Sequence, residues 1–185
     1  MNALSNLSVE RLVGPITHAV RGGEAAALGG VLAALCESGA FTPECFLPAR
    51  ADRYARKLIW RDPEADFIVV GMTWGVGQGS PLHDHAGLWG AEIVVDGIMH
   101  ETAFELTERG QDGRYGFRRG THRICERGAV GLIVPPREHH NFGNAGKTTA
   151  HSMHVYGGEL NSAQTFSEDA DGWWTARRVG LRYDG

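Results

Sequence analysis

Between Phe67 and Tyr156 the chain is cut into short apolar runs by glycine and proline, and this rhythm constrains the fold most. The texture changes at Asp66, and Phe67 to Trp74 then reads as a buried strand. Gly75 to Ser80 is a glycine-rich turn. Trp89 to Val95 is a second strand, closed by Asp96-Gly97, a strong hairpin signal. Met99 to Leu106 alternates apolar and polar residues, and the polar stretch Thr107 to Gly120 predicts a long hairpin tip. Ala129 to Val134, stopped by Pro135-Pro136, and Thr148 to Tyr156 are further strands. Many short strands at regular spacing predict an all-β sandwich or barrel. The 26 glycines suit such a turn-rich fold better than a helical bundle.

The first forty residues differ. Val9, Leu12, Val13, Ile16 and Val20 recur at helical spacing before Arg21-Gly22-Gly23. Glu24 to Glu37 begins again, with Leu28, Val31, Leu32 and Leu35 on one face. Two short amphipathic helices must bury that face against the rest of the chain. Pro43 and Pro48 bracket a loop or helical turn, and Asp52 to Leu58 suits either helix or strand. The tail from Asn161 carries Trp173-Trp174 and ends in a polar, strand-like stretch. A chain of 185 residues buries roughly 70% of its unfolded surface, enough to fold without staples. The expected organisation is a single domain, with residues 1–50 as helices packed on a barrel of residues 51–185.

Charge and cysteine usage narrow the function. Eighteen basic against 22 acidic side chains give a net charge of −4, which disfavours a nucleic-acid binder resting on phosphate contacts. Cys36, Cys45 and Cys125 follow no disulfide or zinc-knuckle spacing. The opening residues lack the basic and apolar regions of a signal peptide, and no apolar run approaches the ~18 residues of a membrane span. A cytoplasmic protein without nucleic-acid or membrane partners is expected, as monomer or weak homo-oligomer.

The chemistry concentrates in Gly77-Gln78-Gly79-Ser80-Pro81-Leu82-His83-Asp84-His85. In a strand, residues two apart share a face, so His83 and His85 project together. Two converging imidazoles are half of a transition-metal site. His140, in the stretch Pro135 to Asn144, is the candidate third ligand, and His139 replaces it if that turn slips by one residue. His18, His100 and His122 lie outside any motif, and His151 is expected to point outward.

These motifs resemble the two cupin signatures. Gly77, His83, His85 and Gly97 stand at their places in the first, while Gly90 fills the place of its glutamate. Pro135, His140 and Asn144 match the second, with Arg137 at its glycine position. A three-histidine set lacking the carboxylate resembles the cysteine dioxygenase family of thiol dioxygenases. Ser152-Met153-His154-Val155-Tyr156 resembles that family's Ser-x-His-x-Tyr triad, and strand alternation puts Ser152, His154 and Tyr156 on one face. Tyr54-Ala55-Arg56 resembles the segment whose arginine grips the substrate carboxylate, and Trp74-Gly75 also fits. The similarity runs from about Tyr54 to Gly157.

The resemblance implies an all-β cupin fold, a double-stranded β-helix or jelly-roll barrel, preceded by a short helical segment. It implies iron(II) held by His83, His85 and His140, substrate binding by Arg56 and Tyr54, and a catalytic relay through Ser152, His154 and Tyr156. The implied reaction takes a small carboxylate-bearing thiol and O2 to a sulfinic acid, in cysteine catabolism if cysteine is the substrate. Alternatives are 3-mercaptopropionate, whose enzymes tend to carry glutamine where Arg56 stands, and mercaptosuccinate. A non-redox cupin, isomerase or ligand-binding module, is the competing class. Animal members bond a cysteine to the triad tyrosine; Gly90 at that position offers nothing to react. Trp89 is expected to serve the core more than the pocket.

Overall fold

The computed structural model describes residues 6–23, 25–64 and 67–185. Residues 1–5, Glu24, Ala65 and Asp66 lie outside the described residues, and with them the starts expected for the second helix and for the strand region. Helices α1 (Asn6–Arg21) and α2 (Ala25–Glu37) are followed by a 3-10 turn at Pro43–Cys45. Eleven strands come next: β1 (Ala55–Arg61), β2 (Ile68–Trp74), β3 (Leu82–His83), β4 (Gly90–Asp96), β5 (Met99–Arg109), β6 (Tyr115–Cys125), β7 (Val130–Ile133), β8 (His140–Asn144), β9 (Ala150–Tyr156), β10 (Ser162–Glu168) and β11 (Trp174–Gly180). The protein is an all-β fold with two N-terminal helices.

One antiparallel sheet runs β1-β2-β9-β4-β7. The other strands close a ring, β10-β11-β6-β5-β8-β3, in which β3 pairs with both β8 and β10. Strand alternation divides the five-stranded sheet into two buried faces. Val69, Ala91, Ile93, Val95, Met153 and Val155 face the helices and pack with Leu12, Ile16, Leu28 and Leu32. Ile68, Val70, Met72, Trp74, Val94 and Tyr156 face the second sheet. Both faces being covered, β2 is buried at every position, so its sequence is a continuous apolar run rather than an alternating one.

Two segments differ from the sequence expectation. Most of the polar stretch 107–120 is strand, and the hairpin tip shrinks to residues 110–114. Its polar residues belong on an exposed face, where Arg123 pairs with Glu101 and Arg118 with Glu105 across the ladder. Only His83 of the His-x-His pair lies in a strand; β3 is two residues long. The chain then turns through Ala86 and Gly87, both at positive φ (54° and 77°), while the Asp84 carboxylate accepts the Ala86 and Gln164 amides. The tail forms strands β10 and β11, which close the second sheet against β3 and β6.

Candidate metal centre and substrate cavity

A cavity of about 330 Å³ opens between the two sheets. It is lined by Tyr54 and Arg56 at β1, Met72 and Trp74 on β2, His83 on β3, Glu92 on β4, His140 and Phe142 on β8, and His154 and Tyr156 on β9. The tail supplies the remaining wall through Ala163, Thr165, Val179 and Leu181. That size suits a small molecule, and the lining is mostly apolar with a few polar groups.

His83, His85 and His140 converge. One nitrogen from each lies within 4.8 Å of the others. Backbone pairing of His83 with His140 brings β3 and β8 together, and the Ala86-Gly87 turn returns His85 to them. The ring nitrogens are sorted by their partners. His140 Nδ1 lies 3.1 Å from a carboxylate oxygen of Glu101, and His83 Nδ1 lies 3.0 Å from the Pro81 carbonyl. Those oxygens only accept, so each Nδ1 carries the hydrogen and each Nε2 is left as a lone-pair donor. His85 is 1% exposed and its Nδ1 has no partner. Burial, reinforced by His140, pushes His83 down to about 3, and burial likewise carries His85 well below its ordinary range. Both imidazoles are therefore neutral, the form that binds a metal ion. Three converging imidazoles, two with tautomers set by their acceptors and one with an orphaned buried nitrogen, fit a transition metal.

His139 sits elsewhere. It is buried between Phe117 and Phe166, with ring centroids 5.1 and 5.6 Å away. His151 is part-buried against Phe46, His18 and His122 are exposed, and His100 is part-buried beside His122. Trp89 packs on the helix-side core, with its indole edge over Gly157.

Ser152, His154 and Tyr156 form a hydrogen-bonded row on β9. Ser152 Oγ is 2.7 Å from His154 Nε2, and His154 Nδ1 is 3.1 Å from the Tyr156 hydroxyl. Trp74 Nε1 donates to Ser152 Oγ at 2.8 Å. Burial pushes the Tyr156 phenol far up, so it keeps its proton. Gly90 makes room for that ring: a Cβ there would lie 3.0 Å from Tyr156 Cδ1 and 2.8 Å from the Val155 carbonyl.

Arg56 is 3% exposed. Its Nη2 reaches the Leu160 carbonyl at 3.3 Å, while Nε and Nη1 are buried with no partner. An unpaired buried guanidinium edge is costly unless an anion completes it. Residues 181–184 aim it. Tyr183 lies 5.2 Å beneath the guanidinium carbon, and Asp184 accepts the Arg56 amide and holds Arg53 with contacts of 2.8 and 2.5 Å. The Arg53 and Arg56 bonds, opposed by partial burial, lower the Asp184 carboxyl to about 2. Tyr54 stacks on Trp74, 4.3 Å between centroids, and closes the same side.

Sequence reasoning missed two carboxylates and this tail. Glu92 and Glu101 both stand beside His140, with one oxygen of each within 4.8 Å of a His140 nitrogen. Glu92 is 3% exposed. Burial opposes its charge, but His140 and His154 together hold its carboxyl below the usual range. The signal was a lone acid inside the apolar strand Gly90 to Val95. The tail gave no such signal, because its role depends on chain closure.

The family profile described as cysteine dioxygenase type I matches residues 24–169. Cysteine dioxygenase type 1 of Danio rerio is 26% identical over 117 residues, which is 63% of this chain and 57% of that protein. The chain thus spans less than two thirds of the length of that relative. Among solved structures, an oxalate oxidase bound to glycolate shares 16% identity over 60% of this chain and 53% of its own, with a TM-score of 0.45. The cupin domain of Schizosaccharomyces pombe Cnp3 shares 12% over 61% of this chain and 65% of its own, with a TM-score of 0.46. Among the described residues no helix is long and apolar enough to cross a membrane.

Proposed function

The chain belongs to the cysteine dioxygenase type I family, and from that premise we propose that its cavity oxidises a small thiol acid, with cysteine as the first candidate, to the sulfinic acid. The observation that carries this reading is the meeting of three converging imidazoles, two of them in the cavity wall, with an unsatisfied buried guanidinium edge in the same wall. Iron(II) held by His83, His85 and His140 would supply the redox chemistry between thiolate and O2. Both oxygen atoms go to sulfur, and sulfur provides all the electrons that reduce O2.

The protein's own groups bind and orient. Arg56 meets the substrate carboxylate through its free Nε/Nη1 edge, as a planar fork with two parallel hydrogen bonds. Tyr183 beneath it and Leu160 beside it restrict its rotation before substrate arrives. Arg56 is the one lysine or arginine among the residues lining the cavity, and Glu92 is an anion in the same wall. A thiol with a single carboxylate fits that balance better than mercaptosuccinate. Tyr156 holds a phenolic proton within the cavity, oriented by His154 and Ser152. The apolar walls, with Trp74, Phe142 and Leu181, limit water.

The test is oxygen uptake by iron(II)-loaded protein with cysteine, 3-mercaptopropionate, mercaptosuccinate and cysteamine, with the product identified by mass. Uptake with a monocarboxylic thiol and a gain of two oxygen atoms is expected. No oxygen consumption with any of the four rejects the reading. His140→Ala protein should lose most bound metal; full retention assigns the ligand elsewhere.

A further inference from the structure

Beyond its charge in the cavity wall, the proposed reaction gives no task to Glu92, although it is the most deeply buried acid in the protein's described residues. It is the third residue of β4, opposite His154 of β9 on one side and Gly131 of β7 on the other. Gly131 makes its place: a Cβ there would lie 2.9 Å from Glu92 Oε1 and 3.0 Å from its Cγ. Oε2 is 3.3 Å from His154 Nδ1, and Oε1 is 3.9 Å from His140 Nδ1. Glu101 is the nearer partner of that His140 nitrogen, at 3.1 Å. Glu92 therefore stands on the Nδ1 side of both rings, behind His140 rather than among the converging nitrogens.

Donor and acceptor accounting gives the residue a role. An indole nitrogen can only donate, so Trp74 fixes Ser152 Oγ as an acceptor. Ser152 is fully buried, and among the described residues the other partner of its hydroxyl is His154 Nε2, 2.7 Å away, which therefore receives the hydroxyl hydrogen. A neutral imidazole that accepts at Nε2 carries its hydrogen at Nδ1. That hydrogen faces two oxygens, those of Tyr156 and Glu92. An ionised carboxylate can only accept, and it accepts more strongly than a phenol. We propose that Glu92 is a positioning residue that locks His154 in the Nδ1-protonated form, so that Tyr156 need not give its hydrogen to His154 and presents it to the cavity. Trp74 and Glu92 thus anchor the row at opposite ends, a pure donor and a pure acceptor. The hydrogen bonds in between can run in one direction only.

The role assigned to the Tyr156 proton rests on the proposed function, but the lock on His154 does not. The test is nitrogen-15 NMR of the His154 ring in metal-free and in zinc-loaded protein, neither of which turns over. Wild-type protein should show Nδ1 as the protonated nitrogen. Glu92→Leu removes the acceptor, and Gly131→Ala displaces it while leaving every charge in place. In each variant that folds, the Nε2-protonated form should rise to about a tenth of the population or more. A wild-type His154 protonated at Nε2, or variants that stay wholly Nδ1-protonated, overturns the proposal. In oxygen-uptake assays Glu92→Leu should lower kcat at least about tenfold with the thiol KM little changed. A change confined to KM also overturns it, because it would place Glu92 on the substrate. Absence of turnover in wild-type protein would instead reject the thiol reading and leave the NMR result standing.

Discussion

Arg56 and Gly90 show how much a single position decides. Arg56→Ala should lower kcat/KM for a thiol acid by about 2–4 kcal/mol, since a buried charge-assisted pair is lost and the substrate charge is stranded. Arg56→Lys should also impair it, because a point charge cannot reproduce the fork. Cysteamine, which has no carboxylate, should lose far less in either variant; an equal loss would mean that Arg56 holds the fold rather than the acid. At Gly90 the space for a side chain is already taken by Tyr156 and the Val155 carbonyl. The three cysteines are all free and buried, so intact-mass analysis should give one species without the deficit of a cysteine–tyrosine bond. Gly90→Ala should destabilise by about 1–3 kcal/mol in denaturant titrations through overpacking; an unchanged midpoint would show that Tyr156 yields easily. At this scale the sequence was readable where side chains recur at fixed spacing: His83 and His85, or Ser152, His154 and Tyr156. Glu92 was opaque because its meaning lies in Gly131, thirty-nine residues away and directly across the ladder.

The helices act on the site only through the sheet they cover. Leu32 is fully buried between α2 and the outer face of the five-stranded sheet. Leu32→Ala should cost about 2–5 kcal/mol in chemical unfolding, with a cavity left where the leucine was. Metal binding by the surviving folded protein should be unchanged, since His83, His85 and His140 lie outside that core cluster. Weak destabilisation would mean that α2 is loosely docked. Periodicity exposed both helices, and turn residues exposed β2, β4, β7 and β9. Alternation exposed the start of β5 and a hairpin after it, but β6 stayed hidden because its outer face is polar, and the hairpin's stability comes from cross-strand ion pairs and from Phe104, Tyr115 and Phe117 on the inner face. β8 was equally hard to see: it is five residues long, begins at His140 and contains no run of apolar side chains.

Across the whole molecule, the imidazole trio ties stability to pH. His83 and His85 are neutral in the fold but titrate near 6.5 when unfolded. The unfolded chain therefore binds more protons below that value, and stability falls with pH. Their contribution is complete above about pH 6.5 and fades as the pH drops toward 3. His140 runs the other way: burial opposes its charge, but Glu92 and Glu101 outweigh burial and raise it. Its contribution is present below about 6.5 and fades as pH climbs through the raised value. Metal-free protein should accordingly show a Tm that drops on acidification from about pH 6.5. His85→Asn should flatten that drop; an unaltered slope would assign the sensitivity to other groups. The global fold was legible because glycine and proline punctuate it, whereas the closing of the cavity by β10, β11 and residues 181–184 was not, because closure is a long-range event without a local pattern. The arginine fork is steadied by Tyr183 and Asp184, while the imidazoles are steadied by β3, β8 and the Pro81 carbonyl. Under the proposed reaction, catalytic apparatus and substrate gauge are thus written on separate stretches of chain. Exchanging two or three side chains on this outer strap gives natural variation a way to retune which acid is admitted, while the inherited nitrogen cluster stays as it is.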